Sequence, residues 1–517
     1  MGCQQGRALP RSLPHILATS SSAHIALKPS VALALGILVT ITLARLIGLY
    51  FSTVDLFVDE SQYWSWSREL AFGYVTKPPL LAWIIAVATH VCGDSEVCVR
   101  APSPLFYLGT SLVAYAIAAK LYDARVAFFA AVSVGLAPGI AFSARIVSTD
   151  VPLLFFWALA LFAYVKLLAA RDLRWSVLLG LSIGFGMLAK YAMIYFLLGI
   201  GLAAWLDRDA RRLLGARELW IALGVASLVI VPNAIWNFAH KFSTLREVAN
   251  NGVRDGFEFN WQNELEFIGS QFAVFGPVLF AVLLVAIARI ATPFVNRADR
   301  LMLAFAVPPL GLIVAIAFVT RANANWAATA FVSGAIVAVA LLVRLKAWKW
   351  MSASIVIGLV IQSLLLIGDT WATKIHMPLV ARGDLYARTL GWRSFAEQAG
   401  EMARRVGART IVGDWRAETA SLFYYWRDQP EQIVAWRRRA TPQDNFELTH
   451  PFTEAAAQPF LFVTACPHPL PLSDYFSDVE GLGVIVARSG PSTARYFNAF
   501  KLAGPRGPIP PRGACTH

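Results

Sequence analysis

Eleven apolar runs, near residues 31–50, 101–119, 126–142, 149–165, 176–189, 191–206, 218–236, 267–288, 301–320, 325–343 and 350–369, constrain this chain more than anything else it contains. About 20 apolar residues in a helix cross about 30 Å of hydrocarbon. Within lipid, every backbone N–H and C=O must be satisfied internally, which helices achieve segment by segment. A further run, Leu80 to Val91, is short and follows Pro78-Pro79, so it reads as a re-entrant or interfacial helix. Of 517 residues, 57% are hydrophobic and 15% charged, where soluble chains carry about 25% charge. Disorder, a coiled coil and a disulfide-rich secreted scaffold are excluded. The fold class is a polytopic all-α membrane protein of about eleven transmembrane helices.

Charge orients the runs. The net charge of +13 would suggest nucleic acid in a soluble protein. In a membrane protein it reads as the lysine and arginine that cytoplasmic loops collect, and no nucleic-acid partner is expected. With the N-terminus inside, the cytoplasmic segments hold 18 lysines and arginines in 77 residues, against 9 in 92 on the opposite side. Residues 1–30 then form a cytoplasmic segment without the features of a cleaved signal, and Gly6 breaks the myristoylation pattern. Asp59, Lys77, Arg145, Asp150, Lys190, His240, Arg254 and Arg321 all fall on the outer face.

After Trp371 the pattern changes. Residues 372–517 carry 17 of the 45 basic residues and no spanning run. Thr410–Asp414, Glu418–Arg427 and Gln432–Trp436 read as strand, helix, strand, with further strands at Pro459–Ala465 and Gly483–Ala487. The expected organisation is therefore a membrane domain over 31–371, with its first outer loop at 51–100, followed by an outer α/β domain over 372–517. Its Pro/Gly-rich tail, Gly504 to Gly513, has the composition of a disordered segment.

Three outer segments carry candidate chemistry, each beside a blander reading. Asp59 and Glu60 open an interfacial helix whose Tyr63, Trp64 and Trp66 suit the aromatic belt. Asp59 with Gln62 fits a capping box as well as it fits catalysis. Lys77, in Lys77-Pro78-Pro79, fits a phosphate clamp or a side chain snorkelling to the headgroups. Asp150, in Ser148-Thr149-Asp150-Val151-Pro152, is an ionisable group at the end of a span and so a functional candidate, with helix capping as its rival. The five cysteines lack metal-site spacing. Cys92 and Cys98, close together and outside, fit a disulfide and buried free thiols equally well.

Asp59-Glu60 after the first span, the aromatic helix, Lys-Pro-Pro and Asp-x-Pro together resemble the GT-C glycosyltransferases. More narrowly, they resemble the dolichyl-phosphate-mannose-protein-mannosyltransferase superfamily, whose bacterial branch includes lipid A aminoarabinose transferases and lipopolysaccharide galacturonosyltransferases. The stretch from Glu60 to Tyr74 is most similar to the galacturonosyltransferases, and the resemblance extends over about residues 50–170 and to Asn325-Trp326. It implies a GT-C membrane domain in the bacterial inner membrane, with the active site and C-terminal domain in the periplasm. The implied reaction is inverting transfer of a sugar from a polyprenyl-phosphate donor to a glycolipid, lipopolysaccharide core or lipid A, without metal or other cofactor.

Carried onto this chain, Asp59 becomes the acceptor-side catalytic carboxylate, Asp150 the second acid and Lys77 the cation on the donor phosphate. Glu60, Tyr63, Arg145, Lys190, His240, Arg254, Arg321 and Asn325 complete the expected substrate-binding set. A uronic acid donor, galacturonic acid, would use Arg145, Lys190, Lys241, Arg254 or Arg321 for its carboxylate. Thr76 stands where aminoarabinose transferases have Glu before Lys-Pro-Pro, which removes an acid suited to an amine. Aminoarabinose, mannose or a protein acceptor would keep the fold. A transporter or flippase of polyprenyl-linked sugar would want inverted repeats and charge near the midplane, whereas these acids sit at one face.

Overall fold

The computed structural model describes residues 29–244, 246, 261–376, 384–466 and 471–513. Every one of the eleven apolar runs is helical. Six helices are long and apolar enough to cross a membrane unaided: Val31–Phe51, Glu96–Leu121, Asp150–Ala169, Arg217–Ala239, Arg297–Ala317 and Trp348–Thr370. The run at 267–288 belongs to a bent pair, Trp261–Phe275 and Pro277–Ala288, which meet at 116°. Gly276 supplies a φ of +87° at the corner and Pro277 starts the second helix, so a smooth span is broken by its own sequence. The run at 126–142 likewise stops at Leu136, because Pro138 opens a new short helix.

One of the shorter helices, Ala330–Arg344, is surrounded by protein rather than lipid. All residues from Ala330 to Leu342 are buried. Gly334, Ala335, Ala338 and Ala340 let neighbouring helices approach closely, which drives packing in membranes. By contrast Trp220, Leu228, Ile235, Phe238, Val356 and Ile367 are exposed, apolar, and placed on long helices where lipid would cover them.

The layer at one end of the helical bundle, expected to be the outer one, begins where α1 (Pro29–Phe51) ends. α2 (Val58–Arg68) is buried on nearly every side, and α3 (Leu80–Cys92) follows after Lys77-Pro78-Pro79. Cys92 and Cys98 are joined by a disulfide. The C-terminal domain carries a five-stranded sheet in the order β2-β1-β3-β5-β4, with β1 (Thr410–Gly413), β2 (Gln432–Ala435), β3 (Phe460–Thr464), β4 (Phe476–Arg488) and β5 (Ala494–Pro505). β1 runs parallel to β2 and β3, while β5 pairs antiparallel with β3 and β4. The expected strands and the helix after β1 are present. β5 and the helix Trp392–Arg405 are additions that the apolar pattern did not reveal.

The tail corrects its expectation of disorder. Trp436 donates to the Pro510 carbonyl at 2.9 Å, the Arg512 amide bonds the Arg437 carbonyl at 2.8 Å, and the buried Arg512 side chain pairs with Asp414. A Pro/Gly-rich stretch cannot form a helix, but here a buried acid and an indole dock it.

The sheet domain grips the outer layer. The Asp55 carboxylate accepts from the Gly391 amide at 2.8 Å, the Tyr425 hydroxyl accepts from the Leu56 amide at 2.6 Å, and Tyr424 donates to the Asp94 carbonyl at 2.7 Å. α2 is thereby held between helical bundle and sheet domain.

Candidate functional site

α2 starts with two acids that have opposite fates. Its N-cap is Phe57, so Asp59 lies one position inside the helix and does not cap it. The reciprocal capping contact comes from Glu60, which accepts from the Phe57 amide at 2.8 Å. Glu60 also receives Arg100 Nε at 2.9 Å, Arg100 Nη2 at 2.7 Å and the Val147 amide at 2.8 Å. With both partners at most 2% exposed, Glu60 has no lone pair left for a ligand. The structure therefore removes it from the expected substrate-binding residues.

Asp59 points the other way, half-buried, toward the sheet domain. Arg416, the first residue of the helix after β1, places Nη1 2.5 Å from Asp59 Oδ1 and 2.5 Å from Gln62 Oε1. Sequence reasoning missed Arg416, one of 17 basic residues in its domain. Its signal was topological: it follows the carboxyl end of a parallel strand, where α/β units present functional side chains.

Asp150 likewise does not cap its helix, where Thr149 is the N-cap. One carboxylate oxygen receives Lys190 Nζ at 2.7 Å and the other receives Asn325 Nδ2 at 2.6 Å. Lys190 comes from the extended break between the helix Leu173–Ala189 and the turn Tyr191–Ile194, which explains why that Gly-rich pair of runs is interrupted. Three elements far apart in sequence thus meet at Asp150.

Lys77 is positioned by its loop. A Cβ on Gly73 would lie 2.4 Å from the Trp236 ring, so only glycine allows this approach. Asn233 Nδ2 donates to the Phe72 carbonyl at 2.7 Å, Thr244 donates to the Tyr74 carbonyl at 2.8 Å, and Tyr74 stacks on Trp66 with centroids 4.4 Å apart. The charges acting on Lys77 are those of Lys190, Asp59, Asp150 and Arg416. Burial first, then Lys190, pull its ammonium below the usual lysine range. Its Nζ has no hydrogen-bond or ion-pair partner among the described residues. Tyr63 is buried beneath the same group; burial and then Asp59 push its hydroxyl well above the usual tyrosine value.

Asp59, Tyr63, Lys77, Asp150, Lys190 and Asn325 are therefore brought together, with Arg416 and Gln62 added. Other expected residues lie elsewhere. Arg145 is buried against Asp369 at 3.0 Å and faces the rings of Phe142 and Tyr386, a structural role created by a partner in the last span. His240 stacks on Trp236 and bonds that residue's carbonyl at 2.8 Å, which makes it a support for the Lys77 loop. Arg321 is half exposed opposite Glu266, and Lys241 is exposed. Arg254 lies outside the described residues. A separate cavity of about 420 Å³, lined by Trp64, Trp66, Arg68, Trp426, Arg427 and His450 among others, shares none of these site residues.

The arrangement can deliver two operations. A half-exposed carboxylate can take a proton from an attacking hydroxyl. Cations beside a departing phosphate can stabilise the charge developing on it.

Comparisons with known proteins bear on the family and the fold. Residues 76–236 match the family described as dolichyl-phosphate-mannose-protein mannosyltransferase. The lipid A galacturonosyltransferase RgtD of Rhizobium johnstonii is 33% identical over 433 residues, 83% of this chain and 90% of that relative. The lipopolysaccharide core galacturonosyltransferase RgtA of the same organism is 26% identical over 185 residues, 35% of this chain and 37% of the relative. The crystal structure of ArnT from Cupriavidus metallidurans bound to undecaprenyl phosphate shares the fold. It superposes with a TM-score of 0.64 at 17% identity, covering 92% of this chain and 99% of ArnT.

Proposed function

We infer the reaction from one premise: the chain belongs to the dolichyl-phosphate-mannose-protein mannosyltransferase superfamily, the membrane-embedded GT-C glycosyltransferases. It is a multi-pass membrane glycosyltransferase. The specific reading is transfer of galacturonic acid from a polyprenyl-phosphate donor to lipid A or lipopolysaccharide core. The observation that carries it is that Asp59, the Asp150–Lys190 pair and a Lys77 with no partner among the described residues lie within reach of one another's charge. The names of the galacturonosyltransferase relatives and of the lipid-bound ArnT support the donor and acceptor classes.

In this reading Asp59 takes the proton of the acceptor hydroxyl as its oxygen attacks the anomeric carbon. The bond from that carbon to the donor phosphate breaks, and the electron pair leaves on the phosphate beside Lys77. Attack from the face opposite the leaving group inverts the anomeric centre. Asp150 positions Lys190 and Asn325 rather than touching the acceptor. Lys77, Lys190 and Arg416 supply the positive charge, so the chemistry is metal-independent. The site and sheet domain face the periplasm from the inner membrane, a placement supported by the charge asymmetry and by the Cys92–Cys98 disulfide, which suits an oxidising compartment.

The test is mass spectrometry of lipid A and core oligosaccharide from a deletion strain, paired with transfer by the purified protein. Loss of one uronic acid residue, restored by the wild-type chain but not by Asp59→Asn, is expected. Unchanged glycolipids in the deletion strain would sink the reading.

A further inference from the structure

We propose that Arg416, delivered by the C-terminal domain, reads the carboxylate of the donor's uronic acid and ties that sugar to the catalytic acid Asp59. This rests on the uronate donor reading above. Of the cations expected for that task, Arg254 lies outside the described residues and Lys241 is exposed, while the others have partners. Lys190 is bound to Asp150, and Arg145 to Asp369. Arg321 faces Glu266, and His240 is stacked on Trp236. Lys77, without a partner among the described residues, sits on the loop assigned to the phosphate.

Arg416, unlike these, is held directly against Asp59, and its donors are only partly spent. Only Nη1 is used, and it serves both Asp59 and Gln62 at 2.5 Å each. Nε and Nη2 have no hydrogen-bond partner among the described residues. That pair forms one planar edge of the guanidinium, the edge that matches a carboxylate with two parallel hydrogen bonds. The edge is reachable, since the Arg416 side chain is 37% exposed and that of Asp59 34%. Asp59 keeps its second oxygen, Oδ2, without a partner among the described residues and so able to accept a proton.

One guanidinium can then hold both carboxylates, Asp59 on Nη1 and the sugar's on the opposite edge. The hexose analogue, with a hydroxymethyl group in place of the carboxylate, leaves that edge unfilled. Discrimination arises because a charge-assisted pair is lost. The sheet domain thereby acquires a role that its own sequence pattern does not disclose, as the carrier of donor specificity.

The experiment uses the full-length purified protein with two matched donors, polyprenyl-phosphate galacturonic acid and polyprenyl-phosphate galactose. The readout is the ratio of kcat/KM for uronate to that for hexose, which does not depend on the fraction of protein that folds. The wild type is expected to favour the uronate. Arg416→Gln is expected to lower the ratio by about 10- to 100-fold, the range for a hydrogen bond to a charged group. Arg416→Lys should fall between, keeping charge without the fork, and it supplies the same ratio if Arg416→Gln yields no active protein. An unchanged ratio in both variants, with either donor slowed equally, overturns the assignment and leaves the uronate reading standing. A wild-type preference for galactose overturns the uronate reading and this assignment with it.

Discussion

Glu60→Gln separates two adjacent acids that sequence alone could not tell apart. Both oxygens of Glu60 are doubly occupied: Oε1 by Arg100 Nε and the Val147 amide, Oε2 by Arg100 Nη2 and the Phe57 amide, at 2.7–2.9 Å. Gln keeps the shape but turns one oxygen into an NH₂ group, which must face two N–H donors whichever way the amide is flipped. Arg100, 2% exposed, keeps the Val54 and Asp55 carbonyls at 2.9 and 2.8 Å but loses its counter-charge. Breaking one side of a buried ion pair costs about 3–5 kcal/mol, a loss on the order of 10 °C in melting temperature. The assay is thermal unfolding of detergent-purified protein alongside transfer measured per folded molecule below the transition. Lower stability with near-normal turnover is expected. Full stability with turnover abolished would refute the reasoning and return Glu60 to the substrate site.

Asp59→Asn should cut transfer by about 10²–10⁴-fold, with its melting curve close to wild type because Asp59 neither caps its helix nor is deeply buried; near-normal turnover would remove it as the base. Lys77→Ala should raise the KM for the lipid donor about tenfold or more, with partial rescue by Lys77→Arg, and unchanged donor kinetics would take Lys77 out of the site. Burial, and next Glu96, push the Asp55 carboxyl from 3.8 up to about 6. The folded state therefore binds that proton more tightly than the unfolded chain, and the stabilisation, full below the unfolded value, is lost as pH rises through the folded one. Wild type should melt higher at about pH 5 than at about pH 7.5, a step that Asp55→Asn flattens; an equal step in the variant would clear Asp55 of the effect. An export-dependent reporter fused after Trp371 should be active, and fluorescence from a cytoplasmic reporter at that junction would reverse the orientation.

Much of this architecture was legible because lipid solubility leaves so few alternatives: an apolar run near 20 residues must be helical, and all eleven runs are. The breaks were not legible, because Gly276-Pro277 and Pro138 lie inside apolar runs and read there as tolerated residues rather than as corners. Asp59, Lys77 and Asp150 could be singled out because charge at a membrane face is costly and therefore informative. What failed was partner choice. Glu60 and Arg145 satisfied every local criterion for binding, yet each is consumed by a residue distant in sequence, Arg100 and Asp369. Arg416 failed in the opposite sense. In a domain rich in arginine nothing local distinguishes it, and only the docking of that domain onto α2 brings it to Asp59. The tail misled because composition reports on regular structure and says little about a single buried Arg512–Asp414 contact.

The Lys77 ammonium, unpartnered among the described residues, also bears on how the enzyme can cycle. A sugar-linked polyprenyl phosphate is a diester with one negative charge, whereas the lipid left after transfer is a monoester carrying about −1.5 to −2 near neutral pH. A cation cluster arranged to receive the first holds the second more strongly. On the proposed reaction, release of the spent carrier is therefore the step that the cluster itself opposes. Lys190, whose charge acts on Lys77, is itself paired with Asp150, so part of the cluster's positive charge is neutralised before either lipid binds. Pairing one lysine of the cluster with a carboxylate is, on this view, what keeps the hold on spent lipid weak enough for the next donor to enter.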